Sequence, residues 1–114
     1  MTTYSAVRAW QRMGYAIVVD DYRGVVSKIE VDGIVMGGVP LGLHFRDLYG
    51  IDVTHIPSGK RIAKLPTLGG AMEFVHQVAL LCDWSTEAPT IPEETLTAIL
   101  NHILAGSYPP RLVP

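Results

Sequence analysis

The clearest pattern of apolar and polar positions lies between Tyr49 and Trp84. Apolar and polar residues alternate over Ile51 to Ile56, which predicts a β-strand because successive side chains of a strand point to opposite faces. Pro57-Ser58-Gly59 is typical of a turn, and residues 60–65 then predict an edge strand with basic side chains. The segment therefore predicts a β-hairpin that leads into a helix.

Two stretches have the spacing of amphipathic helices. The first begins after Thr67, a favourable cap, and ends near Cys82 or Asp83; the second begins with a capping box, Thr90 to Glu93, and ends before Gly106. Their apolar stripes contain Ala71, Phe74, Val78 and Leu81 in the first helix, and Leu96, Ile99, Leu100, Ile103 and Leu104 in the second. We expect the first helix to pack on a sheet, with Phe74 and Val78 at the centre of its buried face.

The N-terminal half predicts a further helix followed by strands. A threonine at position 2 or 3 can cap a helix over Tyr4 to Met13, and Gly14 would end it. Residues 15–20 and 25–31 are rich in β-branched residues and predict two strands.

Glycine and proline positions divide the segment that follows. Asp32-Gly33 predicts a two-residue type I′ turn, because this pair readily takes positive φ values, with a third strand over residues 34–36. Residues 39–50 contain Pro40 and Gly42 and predict an irregular connection.

These elements predict an α+β fold in a single domain. It would have an N-terminal helix, a mainly antiparallel sheet of four or five short strands, one helix packed on the sheet, and a C-terminal amphipathic helix. The 114 residues fit one domain, since domains cluster at roughly 100–150 residues. We expect that domain to cover residues 1–106 and the proline-rich residues 107–114 to form an extended tail.

Charge and composition favour a protein with an interface. The net charge of −2 and the pI of about 6.0 exclude a global positive field that would attract nucleic acid. Charged residues make up 18% of the chain, against roughly 25% in an average soluble protein, and the mean hydropathy is +0.25. Some apolar surface is therefore expected to enter a contact with a partner or, through the last helix, a homodimer.

Cysteine usage and the lack of long apolar runs suggest a cytoplasmic protein. Cys82 is the only cysteine, so no intrachain disulfide can form, and its apolar surroundings favour a packing role. No run approaches the roughly 18 apolar residues of a membrane span, and the first residues lack a secretory signal. We expect no membrane association.

Four histidines are the first candidates for a metal site. They are His44, His55, His76 and His102. No two of them lie four residues apart on one predicted helix, and none combines with a cysteine in a ligand-like spacing. We therefore expect no metal and no other cofactor.

Candidate catalytic sets are equally incomplete. A metal-dependent nuclease needs carboxylates and a lysine around one cation. The available residues are Asp47, Asp52, Glu30 and Lys28, and Lys28-x-Glu30 reverses the usual order. A Ser58–His55 couple lacks the Gly-x-Ser-x-Gly elbow of a nucleophilic serine, and the chain has no Walker A or dinucleotide-binding sequence. We expect no catalytic residues and no enzymatic activity.

Five residues are candidates for contact with a partner: Trp84, Tyr22, Lys60, Arg61 and Lys64. Tryptophan and tyrosine are enriched among interface anchors, and Trp84 follows the end of a predicted helix. The alternative for Trp84 is that its ring folds back over the layer between the last two helices. The basic residues could contact nucleic acid or could simply protect an edge strand from pairing with another chain.

One segment resembles a known kind of protein. Thr54, His55, Pro57, Ser58 and Gly59, with Asp83 and Trp84 at the end of the following helix, match a Thr-His-x-Pro-Ser/Thr-Gly hairpin and Asp-Trp helix end. The segment Val53 to Trp84 thus resembles a small α+β module of uncharacterised proteins from bacterial phages, plasmids and integrated elements. The resemblance implies an origin in a mobile element and an accessory role.

The sequence therefore predicts a non-enzymatic accessory protein of a phage or mobile element that binds a macromolecule, most simply a protein. An inhibitor of a host defence complex would fit this role. The alternative is a small DNA-binding module that reads DNA through a β-sheet and its basic edge strand.

Overall fold

The computed structural model describes residues 10–21, 23–47 and 50–105. This part of the chain contains five strands followed by two helices, which confirms the α+β class. The strands are β1 (Trp10–Asp20), β2 (Val26–Met36), β3 (Leu41–Asp47), β4 (Gly50–His55) and β5 (Lys60–Leu65), and the helices are α1 (Leu68–Val78) and α2 (Glu93–Ala105). The predicted tail, residues 107–114, lies outside the described residues.

The five strands form one antiparallel sheet in chain order, so each strand pairs with its neighbours along the sequence. The predicted hairpin between β4 and β5 is confirmed. Gly59 takes a φ of 74° in its turn, a value that favours glycine. β5 is the last strand of the sheet, as the basic run from Lys60 predicted.

The predicted N-terminal helix is wrong where the structure can be compared with it. Residues 10–13 belong to β1 and pair with residues 33–36 of β2; residues 4–9 lie outside the described residues. The side chains of Trp10 and Gln11 point to opposite faces of the sheet. The Trp10 ring packs edge-on against the His76 ring of α1, with ring centroids 6.4 Å apart. The pairing partner supplied by β2 overrides the local helical spacing.

The predicted turn at Asp32-Gly33 is also wrong, because β2 runs through it without interruption. The glycine instead allows a close approach. A Cβ atom at Gly33 would collide with the carbonyl oxygen of Leu43 and would lie 2.7 Å from the ring of Tyr15. The same ring covers Gly42 on β3, so both glycines make room for Tyr15.

The predicted irregular connection over residues 39–50 contains a strand, β3. Leu41 and Leu43 are buried on the face that meets the helices, while Gly42 and His44 lie on the other face. Pro40 precedes the strand and does not interrupt its hydrogen bonding. The strands are also longer than expected at the start of the sheet, since β1 and β2 have 11 residues each.

Helix α1 forms the core against β3, β4 and β5, as its spacing predicted. Phe74 and Val78 are fully buried, and the Thr67 side chain accepts a hydrogen bond from the Gly70 N–H at 3.0 Å, which confirms the cap. The helix ends at Val78, earlier than predicted, so Leu81 lies outside the stripe and is 45% exposed.

Helix α2 packs mainly on α1. Ile103 is buried, and Leu96, Ile99 and Leu100 are half-buried against the core, which leaves Leu104 as the exposed end of the stripe. Most of the stripe is therefore used within the chain, and the homodimer remains a prediction. No helix within residues 10–21, 23–47 and 50–105 has the length and apolar character needed to cross a membrane.

The contact between Tyr15 and the two glycines predicts a non-additive pair of mutations. Gly42→Ala should destabilise the protein by about 1–3 kcal/mol, because its Cβ would lie 2.5 Å from the Tyr15 ring. In a Tyr15→Ala background the same change should cost little, whereas Gly33→Ala should remain destabilising because the Leu43 carbonyl stays in place. Urea unfolding of the single and double variants measures this; additive costs for Gly42 and Tyr15 would contradict the contact.

Candidate binding cleft on the sheet

A cleft opens on the sheet face that the helices leave uncovered. β2 and β3 pair at only two positions, Ile34 with Leu43 and Val35 with Gly42, and then diverge. The far half of the β1–β2 hairpin bends over the sheet, where the Val18 N–H donates a hydrogen bond of 2.8 Å to the Gly59 carbonyl. The enclosed space is a cavity of about 520 Å³, which we call the cleft.

The two sides of the cleft differ in chemistry. Residues from the hairpin are apolar except Asp20, and those from β3, β4 and β5 are mostly polar or charged. The apolar side consists of Ile17, Val19, Ile29 and Val31, and the polar side of His44, Arg46, Asp52, Thr54 and Arg61. The volume lies within the roughly 300–1,000 Å³ of typical ligand pockets, and a few polar groups among apolar walls are typical of such sites.

Asp52 is the centre of the charged side. Its carboxylate is buried and lies 3.6 Å from Nη1 of Arg46 and 3.5 Å from Nη1 of Arg61, both of which are half-exposed. Lys64 is opposite Asp52 in the β4–β5 ladder, and its side chain lies over Gly50 on the same face. Two guanidinium groups thus flank one carboxylate, with a lysine on the same sheet face, in a protein whose net charge is negative.

Tyr15 and His44 form the floor of the sheet beside the cleft. The Tyr15 hydroxyl lies 3.4 Å from His44 Nδ1, and the two rings meet edge to face. Burial, and secondly the negative charge of Asp52, raise the pKa of Tyr15 far above its usual range. Burial lowers the pKa of His44; Asp52 opposes this shift and Arg46 adds to it. Both side chains are therefore neutral at physiological pH.

The lowered pKa of His44 predicts a loss of stability in mild acid. Below about pH 6.5 the unfolded chain binds a proton at this histidine more readily than the folded chain does. The free energy of unfolding should therefore decrease as the pH is lowered. His44→Asn should have a shallower profile between pH 6.5 and the lower folded pKa, whereas His102→Asn, an exposed control, should retain the wild-type slope. Urea unfolding across this range is the measurement, and parallel profiles for wild type and His44→Asn would contradict the prediction.

A second polar cluster joins the β4–β5 turn to the segment after α1. The His55 Nε2–H donates to the Trp84 carbonyl at 2.8 Å, and His55 Nδ1 and Ser58 Oγ are hydrogen-bonded at 2.7 Å. The Lys60 N–H in turn donates to Ser58 Oγ at 3.2 Å. The Ser58–His55 couple considered from the sequence thus exists as a hydrogen bond, and it ties together two segments of the fold.

Trp84 takes the second of its two predicted positions. Its ring is 5% exposed, lies 5.9 Å from the His55 ring between centroids, and donates its Nε1–H to the Val78 carbonyl at 2.8 Å. The ring packs with the hydrophobic core, so Trp84 is not the exposed residue that the sequence predicted, and its contact with a partner stays a prediction. The ring satisfies one of the carbonyls left free where α1 ends.

The other predicted contact residues have separate positions. Lys60, Arg61 and Lys64 are exposed on β5, and Arg61 and Lys64 belong to the face of the sheet that carries Asp52. Tyr22 lies outside the described residues. Sequence reasoning does not identify Tyr15 or Arg46 as members of a site, and it considers His44 only as a metal ligand.

The residues considered for metal or nucleophilic chemistry are dispersed. Glu30 lies on the hairpin face turned away from the cleft, near Gly14, whereas Asp52 faces the cleft. Among the residues the structure describes, no three His, Cys, Asp or Glu side chains are placed to hold a metal ion. Burial and the nearby Asp83 raise the pKa of Cys82, which favours its thiol form over the nucleophilic thiolate.

Comparison with protein-family models, curated proteins and solved structures finds no match for this chain. The cleft therefore has to be interpreted from its own geometry and charge.

Proposed function

We propose that this protein is a non-enzymatic binding protein that acts by occupying a macromolecular partner, most simply another protein, through the rim of the cleft. The supporting observation is the apolar rim. Ile29 on β2 is 47% exposed and lines the cleft, and Phe45 on β3 is 70% exposed and borders both the cleft and the opposite face of the sheet. Outside the cleft lining, Val26, the first residue of β2, is 62% exposed, and Val25 just before it is 53% exposed.

Such a rim gives a partner both affinity and orientation. Burial of apolar surface contributes roughly 25 cal/mol per Å², and side chains at the centre of an interface provide most of the binding energy. The charged residues inside the cleft, Arg46, Asp52 and Arg61, would select a partner of complementary charge. The role of a cytoplasmic accessory protein of a phage or mobile element, such as an inhibitor of a host defence complex, agrees with this mode of action.

A second candidate function is DNA binding through the sheet. It is favoured by one observation: Arg46, Arg61 and Lys64 lie on the same sheet face. This face is concave where the hairpin bends over it, and a flat or convex sheet would enter a major groove more easily. We therefore place it second.

Affinity capture from the source cell tests the first proposal when rim variants are compared. Ile29→Asp and Phe45→Asp place a charge in the rim, and Leu80→Asp is a matched control because Leu80 is 88% exposed after the end of α1. We expect a protein to be captured by the wild type and by Leu80→Asp, at salt concentrations that abolish electrostatic binding, and to be lost with both rim variants. Capture that is equal for all four proteins would contradict the proposal.

The same proteins discriminate the DNA-binding alternative. The second function would be favoured if the protein binds duplex DNA with an affinity that decreases steeply as the salt concentration rises. This binding should be lost in Arg46→Gln and Lys64→Gln. Binding of a protein partner depends mainly on the apolar rim, so it should persist at salt concentrations that abolish DNA binding.

A further inference from the structure

The gap between the diverging parts of β2 and β3 is open on both faces of the sheet. The cleft, on one face, is lined by Ile29 and Val31 of β2 and by His44, Phe45 and Arg46 of β3. A second cavity of about 260 Å³ is lined by Asp32, Gly33 and Ile34 of β2 and by Leu43, His44 and Phe45 of β3, together with Arg12 of β1, Ile51 of β4 and Leu68 of α1. Both cavities therefore border the same two strands, one on each side of the sheet.

The backbone edges along this gap have no ladder partner within the described residues. Residues 26–33 of β2 pair with β1 on one side, while their pairing with β3 begins only at Ile34. Residues 44, 45 and 47 of β3 pair with β4 on one side, with a register shift at Arg46, while the pairing of β3 with β2 ends at Leu43. Unpaired N–H and C=O groups along a strand are a template for another strand.

We propose that this gap receives an extended segment of the protein partner as an added β-strand, and that the segment alternates acidic and apolar residues. The proposal rests on the proposed function and specifies how the partner is held. Side chains of an added strand point alternately to the two faces, so they enter the two cavities in turn.

The chemistry of the two cavities defines the alternation. On the cleft side, Arg46 and Arg61 both pair with the carboxylate of Asp52. Each guanidinium group has five N–H donors, so further donors can bind an incoming acidic side chain. On the other side, Ile34, Leu43, Ile51 and Leu68 form an apolar wall, and the two charged lining residues, Arg12 and Asp32, have opposite signs. One face of the segment should therefore carry carboxylates, and the other should carry aliphatic or aromatic side chains.

Selection from a random peptide library on the immobilised full chain tests the proposal without knowledge of the partner. We expect enriched sequences in which acidic and apolar residues alternate. A fluorescent synthetic copy of an enriched peptide then serves as the probe in anisotropy titrations. N-methylation at alternate residues, which removes backbone donors without changing side chains, should weaken its binding by more than about tenfold if the peptide pairs as a strand.

Variants of the protein test the charge requirement. The double variant Arg46→Gln/Arg61→Gln should bind the peptide probe about tenfold more weakly or worse, because hydrogen bonds to charged groups are lost. Lys28→Gln is the matched control, since Lys28 is an exposed cation on the outer face of the hairpin, and it should leave the affinity unchanged. No enrichment, enrichment of basic sequences, or N-methylation without effect would overturn the proposal, as would preferential binding of a single-stranded oligonucleotide.

The outcomes for the strand addition and for the proposed function are separable. A cellular partner that depends on the rim residues Ile29 and Phe45 but not on Arg46 and Arg61, together with a failed peptide selection, would overturn the added strand and leave the binding function in place. Peptides that bind as predicted, while no cellular partner depends on the rim, would support strand addition in the gap and contradict the proposed function.

Discussion

Replacement of Phe74 with alanine is expected to destabilise the protein by about 3–5 kcal/mol. Phe74 has no exposed surface, because it lies at the centre of the α1 face that packs on the sheet. The truncation removes buried apolar surface and leaves a cavity, and a cost of this size is a large fraction of the roughly 5–15 kcal/mol that stabilises a typical domain. Urea or thermal unfolding monitored by circular dichroism measures the change.

The matched control for this variant is Leu80→Ala, which also removes a large apolar side chain but at a position 88% exposed to solvent. Its free energy of unfolding should stay within about 0.5 kcal/mol of the wild type. Equal stability of Phe74→Ala and Leu80→Ala would show that α1 does not form the core in the way the structure has it.

The elements that could be predicted from the sequence are those whose information is local. Phe74 and Val78 share a face because of the helical repeat itself. The cap depends on the Thr67 side chain and the first turn of α1. The β4–β5 hairpin depends on the turn Pro57-Ser58-Gly59. Each of these depends on residues within a few positions of one another, so the pattern alone indicates the structure.

The errors fall where a distant residue decides the conformation. Asp32-Gly33 has the composition of a tight turn, yet Gly33 is required because Tyr15, far away in sequence, covers it. Gly42 argued against a strand for the same reason, although the alternation of Leu41 and Leu43 around it would have favoured one. A glycine in a strand can signal a close approach as well as a break, and only the fold distinguishes the two.

The candidate site was the least predictable part of the molecule. His44 and Arg46 lie in a strand where the sequence predicts an irregular connection, so the sequence does not reveal the face that they share with Asp52. The cleft itself depends on where β2 and β3 stop pairing and on the bend of the β1–β2 hairpin towards Gly59, neither of which has a local sequence signal. Basic residues on β5 were recognised, because an edge strand with lysines is a common pattern.

Replacement of Trp84 tests whether this residue serves the fold or a partner. Trp84→Ala should cost about 3–5 kcal/mol, since the ring is buried and its Nε1–H bonds the Val78 carbonyl. Trp84→Phe keeps most of the apolar volume but leaves that carbonyl without its donor, so we expect a smaller loss of about 1–3 kcal/mol. The hydrogen bond from His55 to the Trp84 carbonyl involves the backbone, so both variants can retain it.

Unfolding in urea gives the stabilities, and capture from the source cell gives the binding. A Trp84→Ala protein with wild-type stability that no longer captures its partner would show that the ring is an interface anchor after all. Loss of stability, with Trp84→Phe still capturing the partner through Ile29 and Phe45, would place the role of Trp84 inside the fold.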